Sequence, residues 1–142
     1  MIRFFKKEEE NQLIERIAHW ENKTSGEIRI HLESHLLTDV LSAAQGVFLD
    51  LGMQRTRDRN AVLILIAPKD KKFAIIGDEG IDQQVSDTYW QEIAGNMQNH
   101  FRNGDFVGGV LVAVDQVGRF LETYFPGNGE SDNQLSDDIS YR

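Results

Sequence analysis

The chain has 142 residues, a formal net charge of −8 and no cysteine. This length fits a single domain with one core. The absence of cysteine excludes disulfides, thiolate metal sites and cysteine nucleophiles, and the negative charge argues against nucleic acid as the main partner. No stretch approaches the roughly 20 apolar residues of a membrane span, and the N-terminus lacks the apolar segment of a signal peptide. We therefore expect a cytoplasmic protein without membrane insertion.

The first third of the sequence predicts a helix, a strand and a second helix. Apolar residues recur at helical spacing between residues 7 and 22, which indicates an amphipathic helix. Residues 27–33 alternate strictly between polar and apolar side chains, which is typical of a half-buried strand. A second helix is expected to begin near Thr38, which can serve as its N-cap, and to end at Gly52.

Two further strands are predicted to form a hairpin. Residues 61–67 are a continuous apolar run rich in branched side chains, which is typical of a central strand covered on both faces. Turn-forming residues 68–71 connect this run to residues 72–76, so the two strands should be antiparallel. The strand at 27–33 connects to the strand at 61–67 through a helix, so these two should be parallel with a right-handed crossover.

The remaining residues predict two helices and a polar tail. Ser86 can cap the first of these helices, and residues 107–124 carry the clearest helical period in the chain. We therefore predict an α/β fold, namely a three-layer α/β/α sandwich around a small mixed sheet, with the domain at residues 1–126. Residues 127–142 form an acidic C-terminal tail whose composition is typical of disorder.

The predicted hairpin brings two acidic segments to one end of the sheet. The end of one antiparallel strand lies beside the start of its partner, so residues 77–80 should face residues 58–60. Two glycines in residues 77–80 allow close backbone approach, and carboxylate and amide oxygens are the ligands that calcium and magnesium prefer. The candidate metal ligands on these two segments are Asp78, Glu79, Asp58 and Asn60, and Asp105, just before the last predicted helix, is added as a fifth candidate.

These residues also have purely structural interpretations. Asp105 precedes the last predicted helix, where aspartate is a common N-cap. Residues 77–80 can be a polar turn between a strand and a helix. The four histidines lack the spacing of a zinc site and are expected to be structural, and no phosphate-binding loop or GxSxG motif is present.

Several segments of the sequence resemble motifs of the TPM domain family, in particular of a bacterial, stand-alone branch. These segments are residues 24–30, 59–64, 73–81, 101–106 and 133–141. The resemblance covers nearly the whole chain and implies a sheet between helices, with a site near the acidic loops where family members bind divalent cations. It also implies that the C-terminal tail docks on the domain, with Leu135, Ile139 and Tyr141 as anchors.

Three functions remain open at this stage. The leading hypothesis is a domain that binds calcium or magnesium. The resemblance implies acid phosphatase activity on phosphate monoesters as an alternative, since this activity is attributed to the plant branch, and Asp78 would then be the nucleophile or a ligand. The third is a non-catalytic module that contacts a protein partner, whose identity the sequence leaves unknown. The sequence shows no committed nucleophile or base, so it leaves open whether the protein is an enzyme.

Overall fold

The computed structural model describes residues 4–127 and 137–142. Helices and strands alternate up to residue 67, after which a strand, three helices and a short last strand follow. The helices are α1 (Lys7–Glu21), α2 (Val40–Asp50), α3 (Glu79–Asp82), α4 (Asp87–Arg102) and α5 (Phe106–Tyr124), and the strands are β1 (Glu27–Leu32), β2 (Ala61–Ala67), β3 (Lys72–Gly77) and β4 (Ser140–Tyr141). In the described ranges, no helix combines the length and the apolar character needed to cross a bilayer.

The four strands form one mixed sheet in the order β3-β2-β1-β4. Strands β1 and β2 are parallel, with Glu27 beside Ala61. Strands β2 and β3 are antiparallel, with Val62 beside Gly77, and β4 pairs in parallel with β1. The predicted β-α-β unit and hairpin are therefore confirmed, as is the α/β class of the fold.

Two hydrophobic cores lie on the two faces of this sheet. Alternate residues of a strand point to opposite faces, so Val62, Ile64 and Ile66 of β2 pack with α1, α4 and α5. Leu63 and Leu65 pack on the other face with α2. Every residue of β2 is buried, which confirms the prediction of a central strand covered on both faces.

Strand β1 is more deeply buried than its alternating pattern predicts. Its polar residues Glu27 and His31 are only 1% and 2% exposed, so the prediction of a half-buried strand is wrong. For His31 the reason is the added strand β4, whose Ser140 Oγ lies 2.7 Å from His31 Nδ1. Burial lowers the pKa of His31, and its Nε2 lies 3.2 Å from Glu33 Oε2.

Three helix starts differ in detail from the predictions. The N-cap of α2 is Asp39 rather than Thr38, because the Asp39 carboxylate accepts a hydrogen bond from the Ser42 N–H. Ser86 is the N-cap residue of α4, but its side chain makes no capping hydrogen bond. The predicted loop at 77–80 is partly helical, since Asp78 caps the single-turn helix α3.

The last six residues lie against the domain. Ile139 is buried, and the Tyr141 hydroxyl donates a hydrogen bond to Glu10 Oε1 over 2.5 Å. Arg142 Nη1 donates to Asp50 Oδ2 over 2.8 Å. The predicted anchor Leu135 lies outside the described residues, and the predicted boundary at residue 126 stays a prediction.

Candidate functional site

The start of β2 and the end of β3 bring the two acidic segments side by side. The backbone N–H of Asp78 donates to the Ala61 carbonyl, and that of Gly80 donates to the Arg59 carbonyl, each over 2.9 Å. A Cβ atom on Gly80 would lie 2.4 Å from the Asp58 carbonyl oxygen, which is far inside van der Waals contact. Glycine at position 80 therefore permits this close approach of residues 58–60 to residues 77–80.

Arg59 forms the strongest contact between the two segments. Its Nε donates to Asp78 Oδ2 over 2.6 Å and its Nη2 donates to Asp78 Oδ1 over 2.8 Å. Its Nη1 also lies 3.4 Å from Glu79 Oε1. The hydrogen bonds to Asp78 raise the pKa of Arg59. Such a bidentate pair is strong and directional, so the arginine directly opposes the negative charge of Asp78.

Arg59 has no role in the sequence-based prediction of the site. The signal that could have revealed it is its position between Asp58 and Asn60 on a segment that faces two carboxylates. Its backbone also has φ 51°, a left-handed conformation that is uncommon for a residue other than glycine. This conformation is typical of a residue held in place by its surroundings.

Asn60 and Asp58 are linked through Ser25, which sequence analysis did not select. Asn60 Nδ2 donates to Ser25 Oγ over 3.1 Å, and Ser25 Oγ donates to Asp58 Oδ2 over 3.4 Å. Asn60 is fully buried, and its Oδ1 has no hydrogen-bond partner in the described part of the chain. A buried polar atom left unsatisfied costs about 1–3 kcal/mol. This oxygen is therefore the clearest unoccupied acceptor in the region.

The fifth predicted ligand, Asp105, lies elsewhere. Its Oδ1 accepts a hydrogen bond from the Gly108 N–H over 3.1 Å, and its Oδ2 lies 3.0 Å from His100 Nδ1. Both contacts lower the pKa of Asp105, and the hydrogen bond with His100 has the larger effect. The next residue, Phe106, lines a cavity with Ala67 and Lys72, at the opposite end of the β2–β3 hairpin. Asp105 is therefore the N-cap of α5, as its structural interpretation predicts, and does not join the other four residues.

The acidic end extends into α3 and the start of α4. Burial, followed by the charges of Asp78 and Asp87, raises the pKa of Asp82. In residues 4–127 and 137–142, however, no three histidine, aspartate or glutamate side chains are arranged so that they could hold a metal ion. The region is thus negatively charged, but one of the predicted metal ligands, Asp78, already forms an ion pair with Arg59.

A second group of carboxyls, absent from the sequence-based prediction, lies between α1, β1 and the C-terminal segment. Glu21 is 6% exposed and Glu27 is 1% exposed. Glu21 Oε2 accepts a hydrogen bond from the Ile28 N–H over 2.9 Å, and its Oε1 has no donor within hydrogen-bonding distance among residues 4–127 and 137–142. Burial is the main cause that raises the pKa of Glu21, followed by its carboxyl contact with Asp137 and by the charge of Glu27. Glu21 is therefore protonated at neutral pH.

Comparisons with solved structures identify relatives of the whole fold. The NMR structure of the BA42 protein from the psychrophilic bacterium Bizionia argentinensis superposes with a TM-score of 0.92 at 37% sequence identity, covering 100% of this chain and 98% of that chain. An N-terminal domain from P. gingivalis gives a TM-score of 0.70 at 16% identity, covering 85% of this chain and 78% of that one. An N-terminal domain from Corynebacterium glutamicum gives 0.60 at 15% identity, covering 83% and 74%. The last two similarities show the fold alone.

The sequence comparisons agree with the resemblance found in the motifs. No curated protein matches the chain at a significant level. The family model of the TPM domain matches residues 2–120. Because this match spans most of the chain, and because BA42 is similar over the full length, the chain belongs to the TPM domain family.

Proposed function

We propose that the protein binds a divalent cation, calcium or magnesium, where residues 58–60 face residues 77–80. The observation that carries this proposal is the buried Oδ1 of Asn60, which has no hydrogen-bond partner among the residues that the structure describes. The other end of the same amide contacts Ser25, which in turn contacts the exposed carboxylate of Asp58. Amide and carboxylate oxygens are the ligands that hard cations favour, and Asn60 and Asp58 supply one of each from the same segment. A cation there would satisfy an acceptor that the protein leaves open.

The ion pair between Arg59 and Asp78 sets the strength of this site. Asp58 and Asn60 would hold the cation directly, while Asp78 and Glu79 would contribute only when Arg59 releases them. The guanidinium and the cation therefore compete for the same carboxylates. This competition is expected to make binding weak, in the range of about 0.1–1 mM that is known for low-affinity calcium sites.

Titration with calcium or magnesium chloride, followed by NMR, tests the proposal. We expect saturable shifts of the backbone resonances of residues 58–60 and 77–80. Asp58→Asn is expected to weaken binding about tenfold, which corresponds to ~1.4 kcal/mol. Arg59→Gln is expected to strengthen it by a similar factor, because it removes the competing charge and leaves both carboxylates in place.

Asp105→Asn provides the matched control for this titration. It removes one carboxylate from the opposite end of the hairpin, so the affinity for the cation should stay unchanged. The proposal fails if neither segment shifts at cation concentrations up to about 10 mM, which lies above the range of weak protein sites. It also fails if Asp58→Asn and Asp105→Asn weaken binding equally, since the effect would then come from net charge alone.

The acid phosphatase alternative has less support in the geometry. A carboxylate nucleophile needs an accessible oxygen, but both oxygens of Asp78 accept hydrogen bonds from Arg59, and the residue is 7% exposed. If the activity exists, turnover of a chromogenic phosphate ester should be abolished in Asp78→Asn. Turnover that survives this substitution would remove Asp78 from the mechanism.

A further inference from the structure

A cavity of about 460 Å³ opens at the end of the β2–β3 hairpin opposite the proposed cation site. Its apolar lining includes four phenylalanine rings, from the N-terminal segment, β3, α4 and α5. These are Phe4, Phe73, Phe101 and Phe106. We call this cavity the phenylalanine pocket. Its volume lies within the roughly 300–1,000 Å³ that is usual for sites binding small molecules.

The four rings form one continuous aromatic surface. The ring centroids of Phe4 and Phe106 are 4.8 Å apart, those of Phe101 and Phe106 are 5.5 Å apart, and those of Phe73 and Phe101 are 5.8 Å apart. Aromatic rings at such distances stabilise one another through edge-to-face or tilted contacts. Phe106 is nevertheless 40% exposed. An apolar ring that contacts the cluster but remains open to solvent marks a surface that a ligand can cover.

The rim of the phenylalanine pocket is positively charged. Lys71, Lys72 and Arg102 line it, and no aspartate or glutamate of the described ranges does so. In the part of the chain that the structure describes, none of these three cations forms an ion pair. The neighbouring Asp105 is engaged by His100 and by the first turn of α5. The pocket is thus a basic site on a chain of net charge −8.

We propose that the phenylalanine pocket binds a small amphiphilic anion, that is, a carboxylate with a short aliphatic or aromatic body. The aromatic surface would bury the apolar body, and the basic rim would pair with the carboxylate. Charge complementarity selects this class of ligand, because an apolar cation would meet three like charges at the rim. This inference does not depend on the cation site, which lies at the other end of the hairpin.

Octanoate and octylammonium are suitable probes, because they share an apolar chain and differ in the sign of the head group. We expect octanoate to shift the NMR resonances of Phe73, Phe101 and Phe106 in a saturable way, and octylammonium to leave them in place. The double substitution of Lys72→Gln with Arg102→Gln is expected to weaken octanoate binding about tenfold. Both side chains are exposed, so the fold should tolerate these changes.

The matched control combines Lys23→Gln with Arg55→Gln, which removes the same two residue types from exposed positions outside the pocket. Its affinity for octanoate should equal that of the unmodified protein. Equal binding of octanoate and octylammonium would overturn the proposal, as would equal weakening by the two double substitutions. Absence of saturable shifts with octanoate would overturn it as well.

Discussion

Replacing Glu21 by glutamine is expected to stabilise the protein at pH 8 by about 2 kcal/mol and to have almost no effect near pH 4. The side chain is 6% exposed, and burial together with the carboxyls of Asp137 and Glu27 raises its pKa. Glutamine reproduces the protonated acid. Its oxygen can accept the hydrogen bond from the Ile28 N–H, and its amide group can donate to Asp137.

The direction of the effect follows from proton binding in the two states. The ordinary pKa of glutamate in the unfolded chain is 4.5, whereas the folded protein keeps the Glu21 proton well above that pH. Between these two values the folded state binds more protons than the unfolded state, so the free energy of unfolding falls as the pH rises. Below the ordinary value both states are protonated and the penalty vanishes. Glutamine does not ionise, so the free energy of unfolding of the variant loses this pH-dependent decrease.

Urea denaturation of both proteins at several pH values between about 4 and 8 measures this difference as a change in midpoint at constant slope. Glu15→Gln is the matched control, because Glu15 is an exposed glutamate on the same helix; its effect should be small at every pH. If Glu21→Gln instead destabilises the protein at pH 8, Glu21 is ionised there and a positive charge must compensate it.

The central part of the fold follows from local patterns. The apolar run at 61–67 and its turn specify a hairpin within 17 residues of sequence, from Ala61 to Gly77, so the facing of residues 58–60 and 77–80 could be deduced. The buried state of His31 in β1 could not be deduced in this way. It depends on β4, which reaches β1 from more than 100 residues away along the chain, as the contact of His31 with Ser140 shows. No local pattern encodes such a distant pairing.

The chemistry of the site was harder to deduce than its position. Sequence spacing indicates which segments meet, but it does not say that the Arg59 side chain turns toward Asp78 rather than toward solvent. Asp105 illustrates a second limit. Its place depends on how α4 and α5 cross the sheet, and α5 begins beside the start of β3 rather than beside its end. The contact between the carboxyls of Glu21 and Asp137 could not be deduced for both reasons. The two residues are distant in sequence, and their contact depends on the orientation of their side chains.

Replacing Gly80 by alanine is expected to destabilise the protein by about 3 kcal/mol, at the upper end of the usual cost of overpacking. The added Cβ would lie 2.4 Å from the Asp58 carbonyl oxygen and 2.7 Å from that of Arg59. Both are backbone atoms, so no side chain can rotate away to make room. The segments must separate, which breaks the hydrogen bond from Gly80 N–H to Arg59 O.

Gly46→Ala is the matched control for this substitution. Gly46 lies within α2, and beyond the local backbone of that helix a Cβ there would meet no described atom within 4 Å. Because glycine weakens a helix interior, this change is expected to stabilise the protein by about 0.5–1 kcal/mol. Gly80 also lies in a helical turn, a backbone conformation that alanine adopts readily. The opposite signs expected for the two variants therefore isolate the contact with residues 58–60.

The same pair of variants connects stability to the proposed cation site. Separation of the two segments in Gly80→Ala would move Arg59 away from Asp78, and it would also move Asp58 and Asn60 away from Glu79. If the cation needs ligands from both segments, its affinity should fall in Gly80→Ala and stay unchanged in Gly46→Ala. If only Asp58 and Asn60 hold the cation, the affinity should survive the loss of stability. Denaturation in urea and calcium titration of the same two variants therefore determine how many segments contribute ligands, because each segment remains chemically intact while their spacing changes.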